Sequence, residues 1–141
     1  VLEIRSANGI LTNIKFGWCD FNLGDYKGRP SYISNLPMQI LNAYEEYVKY
    51  NHCIIEFDEE LTQFCLVLWE DTLTILDNRN GRVQSICVNE NPRKVLDELI
   101  SEVINDVRTW AVWMAVSNTE ESIQREERIL MDKITKVGLE L

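Results

Sequence analysis

Hydrophobic positions change their spacing near residue 91. From Cys53 up to that point apolar residues tend to recur at every second place, and after it at steps of three and four. A step of two puts side chains alternately on the faces of a strand, whereas a step near 3.6 gathers them on one side of a helix. The stretch from Cys53 to Ser117 shows both regimes: four strand-like runs, then one long amphipathic helix. Cys53, Ile55 and Phe57 share a face of the first run, and Asp58-Glu59-Glu60 makes the turn after it. Leu61 to Trp69 is apolar on both sides, which predicts a central strand covered on both faces. Glu70-Asp71 turns the chain into TLTILD, where Leu73 and Ile75 oppose Thr72, Thr74 and Leu76. Asn80-Gly81 marks the next reversal, and RVQSICV closes the meander.

The same reading extends to the flanks. Leu2 to Ser6 alternates, Asn8-Gly9 supplies a tight turn, and Ile10, Thr12, Ile14, Phe16 and Trp18 fall on one face of a second strand. An N-terminal hairpin is expected there, followed by an irregular loop over residues 20–33 with a short edge strand near Ser31–Ile33. Ser34-Asn35-Leu36-Pro37 is a helix start, with a capping side chain ahead of a proline that the first turn tolerates. Pro37, Ile40, Leu41, Tyr44, Tyr47 and Val48 form its apolar stripe, and Asn51 suits its C-terminal cap. Asn91-Pro92 repeats that start signal for a helix running to Ser117 with Leu96, Leu99, Val103, Val107, Trp110 and Met114 inward. Asn118 with Glu121 resembles a capping box for a last helix ending at Gly138, with Ile123, Leu130, Ile134 and Val137 inward. The fold class is therefore α+β: an antiparallel meander sheet, N-terminal hairpin plus four strands, covered by amphipathic helices in a single domain over residues 1–141.

Charge narrows the partners. The chain carries a net −9, and residues 36–90 hold ten acids against three bases. Phosphate-backbone binding needs clustered lysine and arginine, so no nucleic-acid partner is expected. No apolar run approaches the ~20 residues of a membrane span, and VLEIRSANG lacks the basic-then-apolar shape of a secretory leader, so a cytoplasmic protein is expected. Cys19, Cys53, Cys65 and Cys87 form no CxxC pair and read as reduced, structural thiols.

Catalytic chemistry finds little to stand on. His52 is the only histidine, and its neighbour Cys53 points to the other face of an extended run. Scattered cysteines give no zinc spacing, and the two acidic turns fall at opposite ends of a meander. No catalytic residue, metal or cofactor is assigned. The expectation is a non-enzymatic interaction protein, of the acidic immunity or inhibitor type, that binds a basic protein partner. Its candidate contact residues are Asp58, Glu59, Glu60, Glu70 and Asp71 in the turns, with Tyr26, Arg29 and Tyr32 in the 20–33 loop. One alternative is a small-molecule-binding or enzymatic domain whose pocket near that loop is lined by Trp18, Tyr26, Arg29 and Tyr32. Another is a structural homo-oligomer, a homodimer through the terminal helices with Trp113 at the contact.

Overall fold

The computed structural model describes residues 9–140. Among these residues seven strands form two antiparallel sheets, one of order β1-β2-β3 and one of order β4-β5-β6-β7. The first comprises β1 (Leu11–Lys15), β2 (Trp18–Leu23) and β3 (Tyr26–Gly28). The second comprises β4 (His52–Asp58), β5 (Gln63–Trp69), β6 (Thr72–Asp77) and β7 (Gln84–Val88), the meander that the alternation predicts. Among the described residues four helices accompany them: α1 (Leu36–Tyr50), α2 (Pro92–Ile104), α3 (Val107–Met114) and α4 (Glu120–Lys136). The class is α+β, as the pattern predicts.

The expected strand Leu2–Ser6 and Asn8 of its turn lie outside the described residues. The expected strand Ile10–Trp18 folds in two instead. Lys15 pairs with Trp18 across a two-residue turn whose Phe16 and Gly17 have φ of 55° and 77°. A two-residue hairpin needs positive φ at its centre, which glycine takes freely and phenylalanine rarely. The 20–33 stretch is correspondingly more regular than an irregular loop. Cys19, Phe21 and Leu23 are buried in β2, and Phe21 to Leu23 pair with Gly28 to Tyr26. Ser31 makes an isolated antiparallel bridge to Trp18.

The helix ends follow their caps. Asn35 Oδ1 accepts from Met38 N, and Asn51 closes α1 in the left-handed region at φ 61°. Leu36, Pro37, Ile40, Leu41, Ala43 and Tyr47 are its buried face, so Val48 falls off the stripe and is exposed. Asn91 Oδ1 caps α2 through Lys94 N at 3.1 Å. The expected single helix to Ser117 breaks at Asn105–Asp106. There Thr109 Oγ1 donates to Asp106 Oδ1 at 2.7 Å, side chain to side chain across the first turn of α3. The Trp110 indole donates to the Glu102 carbonyl at 3.0 Å, supplying a partner near the break. The last helix is capped by Thr119, one residue after Asn118, through Ser122 N.

One core joins these parts. Phe21 of β2 lies 4.9 Å, centroid to centroid, from both Phe57 of β4 and Phe64 of β5, which stack at 4.7 Å. The small sheet thus lies against the inner face of the meander. Val95, Leu96, Leu99 and Val103 of α2 join the same cluster. The Glu102 carboxylate accepts both Ile10 N–H and Leu11 N–H at 2.8 Å, which fastens the start of β1 to α2.

Candidate interaction surface

The meander has two unlike faces. Inward, Cys53, Ile55, Phe57, Phe64, Leu66, Leu68, Leu73 and Ile75 are buried. Outward, register aligns Ile54, Val67, Thr74 and Cys87 in one row, and Glu56, Cys65, Leu76 and Ser85 in the next. None of the described helices covers this second face; Ile54 is 56% exposed and Trp69 55%. The prediction of a β5 covered on both sides is corrected here. The apolar residues Cys65, Val67 and Trp69 belong to a surface among the described residues, because the described helices and the small sheet pack on the inner side.

At one end of this face three rings stack. His52 pairs with Trp69 across β4 and β5, and their rings are nearly parallel, 4.5 Å apart at 11°. Tyr50, at the end of α1, continues the stack at 6.0 Å and 22° from His52. The cross-strand register dictates this contact, since directly opposed side chains lie within about 5 Å. Beside the stack is the Glu70-Asp71 turn. It is pinned by Tyr47, whose hydroxyl donates to the Glu70 carbonyl at 2.7 Å, and by Glu70 N–H donating to the Asn51 carbonyl at 2.8 Å. Burial raises the Tyr47 phenol above its ordinary pKa, so that donor keeps its proton. The result is a preorganised aromatic stack with two exposed carboxylates beside it.

Comparison with protein-family models, curated proteins and solved structures gives no match. The surface has to be read from its own chemistry.

The remaining residues singled out in the sequence are placed differently. Glu59 is a structural hub: it receives the Arg79 guanidinium at 2.8 Å, Arg29 N–H at 2.8 Å and Thr62 Oγ1 at 2.9 Å. Asp58 caps its own turn through Glu60 N–H, and its carbonyl accepts from Ser31 N–H. Glu60 sits at φ 76°. Tyr26 donates to Asp77 at 2.8 Å beneath the Arg79 guanidinium. Arg29 lies over Trp18 at 5.5 Å, and Tyr32 is exposed with its ring against Gly17. The two acidic turns lie at opposite ends of the meander, so only Glu70 and Asp71 adjoin the aromatic stack. Trp113 is 4% exposed, edge-on to Trp110, with its indole donating to the Trp18 carbonyl at 3.0 Å.

Sequence reasoning missed Tyr50, His52, Ile54 and Trp69 as a unit. The period-two spacing of the first three was visible. What was missing was the register that brings Trp69 over His52, and the open side of β5. The four cysteines are unpaired: Cys19 and Cys53 are buried, Cys65 is half-buried and Cys87 is exposed. Burial pushes the Cys19 and Cys53 thiols up to about 12, which keeps them protonated and inert. Among the described residues no histidine, cysteine or carboxylate group of three or more is placed to hold a metal ion. None of the described helices is long and apolar enough to cross a membrane.

Proposed function

We propose that this chain is a non-enzymatic interaction protein that grips a basic protein partner with the outer face of its meander. The observation that carries this reading is the Tyr50–His52–Trp69 stack, its outer rings Tyr50 and Trp69 exposed and His52 half-buried between them, next to Glu70 and Asp71. Large rings held rigid before binding lose little conformational freedom, so they supply contact area at low entropic cost. The acidic rim and the net −9 steer a basic partner towards them and speed its approach. An inhibitor or immunity role against a basic protein in the cytoplasm fits this surface and the reduced thiols. The same acid surplus disfavours nucleic acid as the partner. A homodimer through the terminal helices has weaker support, because the Trp113 ring is already spent on contacts within its own chain.

A photo-crosslinking residue at position 69, with a second at the exposed Leu61 as control, tests the reading. The expected result is capture of a basic protein from position 69 and not from 61, lost on Asp71→Lys and in high salt. In purified form that complex should weaken by roughly thirtyfold or more on Trp69→Ala, the range of a hot-spot truncation. Binding that is indifferent to Trp69→Ala and to salt would overturn it.

A further inference from the structure

We propose that the Tyr50–His52–Trp69 stack is proton-operated: protonation of His52 weakens the grip of this face, so that a basic partner is held in neutral solution and released in mild acid. This regulation belongs to the site proposed to bind that partner, and it rests on that reading.

His52 is the one histidine of the chain. Histidine is the side chain whose charge ordinarily changes between about pH 5 and 8. The fold puts this one inside the contact surface. Its ring lies 4.5 Å from Trp69 at 11° and 6.0 Å from Tyr50 at 22°, half-buried between two exposed rings. The β4–β5 register holds it there, and the Tyr47 hydroxyl and Asn51 carbonyl fix the neighbouring turn. An imidazolium between two π faces is attracted to both, so the ring stays in the stack when it charges.

The charged and titratable groups of the surrounding elements are Glu46, Lys49 and Tyr50 of α1, Glu70 and Asp71 of the turn after β5, and Glu56 two rows along β4. Among the described residues none of them makes an ion pair with His52. A proton on His52 is therefore not absorbed by a dedicated counter-ion; it adds a positive charge to the site. On the inner side, burial pushes the Cys53 thiol up to about 12 and also raises the Tyr47 phenol, so both stay neutral across the histidine range.

Two effects then act against a basic partner. The attraction of the site comes from Glu70 and Asp71, and one cation beside them offsets half of their formal charge. A unit charge about 4 Å from another changes an equilibrium constant by roughly fivefold even in water. Covering the stack also strips water from the imidazolium, a cost that the neutral ring does not carry. The cation–π attraction is present before and after the partner arrives, so it largely cancels. The partner thus binds the deprotonated form better. Affinity is complete above the titration range of the histidine and is lost as pH falls through it, and by linkage binding expels the proton.

Tryptophan emission of the free chain and affinity of the purified complex, each followed between about pH 8 and 5.5, test this. Contact with an imidazolium quenches an indole, so emission should fall on acidification, and His52→Gln and Trp69→Phe should each lose that fall. The complex of the wild-type chain with the protein captured through position 69 should weaken roughly fivefold or more over the same interval. His52→Gln should abolish that ratio, whereas His52→Arg, permanently charged, should show the weak state at both ends. Urea unfolding shows whether each variant remains folded. An emission that ignores pH, a complex equally tight at both ends, or a pH dependence that survives in His52→Gln would overturn the switch and leave the proposed function standing. Failure to capture a basic protein from position 69 even at the alkaline end would sink both.

Discussion

Phe16 is the residue whose placement its chemistry least favours. It is 91% exposed and holds φ 55° at the β1–β2 turn, so it has a strained backbone and almost no burial in return. For an L residue the left-handed region costs about 1 kcal/mol or more, and glycine takes it without that cost. Phe16→Gly is therefore expected to stabilise the chain by about 1 kcal/mol, read as a rise in the urea midpoint. An unchanged or lower midpoint would show that the exposed ring contributes to the fold. The thiols give a second residue-scale expectation. Cys19 and Cys53 are held near 12 by burial, well above the ~8.5 of a free thiol. Their folded pKa is raised, so their contribution to stability is complete below the unfolded value and is lost as pH rises through about 12. Stability should decline over that alkaline window, and Cys19→Val with Cys53→Val should flatten the decline. At neutral pH an alkylating reagent should modify Cys87 first and the two buried thiols only on unfolding.

Elements whose signals are local were legible, and those that depend on a distant partner were not. The cap-and-proline starts at Asn35 and Asn91 are the two that the structure uses, and Asn51 ends α1 in the left-handed region its residue type tolerates. Asn91→Ala is expected to cost about 1 kcal/mol, the usual worth of an N-cap, and to shift the thermal midpoint down by several degrees. The four meander strands were readable because hydrophobic alternation and turn residues agree there. The β1–β2 hairpin was not, since Phe16-Gly17 lacks the Asn-Gly or Asp-Gly signature that the Asn8-Gly9 pair displays. The helix break was hidden for a related reason: the apolar stripe runs straight through Asn105–Asp106, and only the Trp110 indole reaching the Glu102 carbonyl shows where the axis turns. Trp69 shows the limit from the other side. An apolar residue on a two-faced strand reads as core unless one knows that the described covering elements lie opposite.

At the scale of the molecule, the two sheets are held together by apolar packing and by one polar clamp that no local pattern announces. Arg79, beyond the end of β6, donates to Glu59 through Nε and Nη2 and to the Lys27 carbonyl through Nη1 at 2.7 Å, while its plane covers Tyr26 at 4.6 Å. Tyr26 in turn donates to Asp77, which is 6% exposed. Burial raises the Tyr26 phenol first, and the bond to Asp77 raises it further, so the donor is retained well into the alkaline range. Residues from β3, the β4–β5 turn and the end of β6 thus form one hydrogen-bonded unit, joining segments 51 positions apart at the Tyr26–Asp77 bond. The carboxylates and aromatics that the sequence offers as partner contacts are divided by this geometry, with Glu59 and Tyr26 inside the clamp and Glu70 and Asp71 outside it. Arg79→Met keeps most of the side chain's apolar length but removes its donors and leaves Glu59 with an unmatched charge, its side chain only 11% exposed. Hydrogen bonds to charged groups are worth about 1.5–3 kcal/mol, so a loss of roughly 2–3 kcal/mol is expected in urea unfolding. Arg79→Met with Glu59→Gln should recover part of it, because the second change removes the stranded charge. If the single variant unfolds at the wild-type urea midpoint, the phenylalanine cluster alone holds the sheets together and Arg79 is a surface residue.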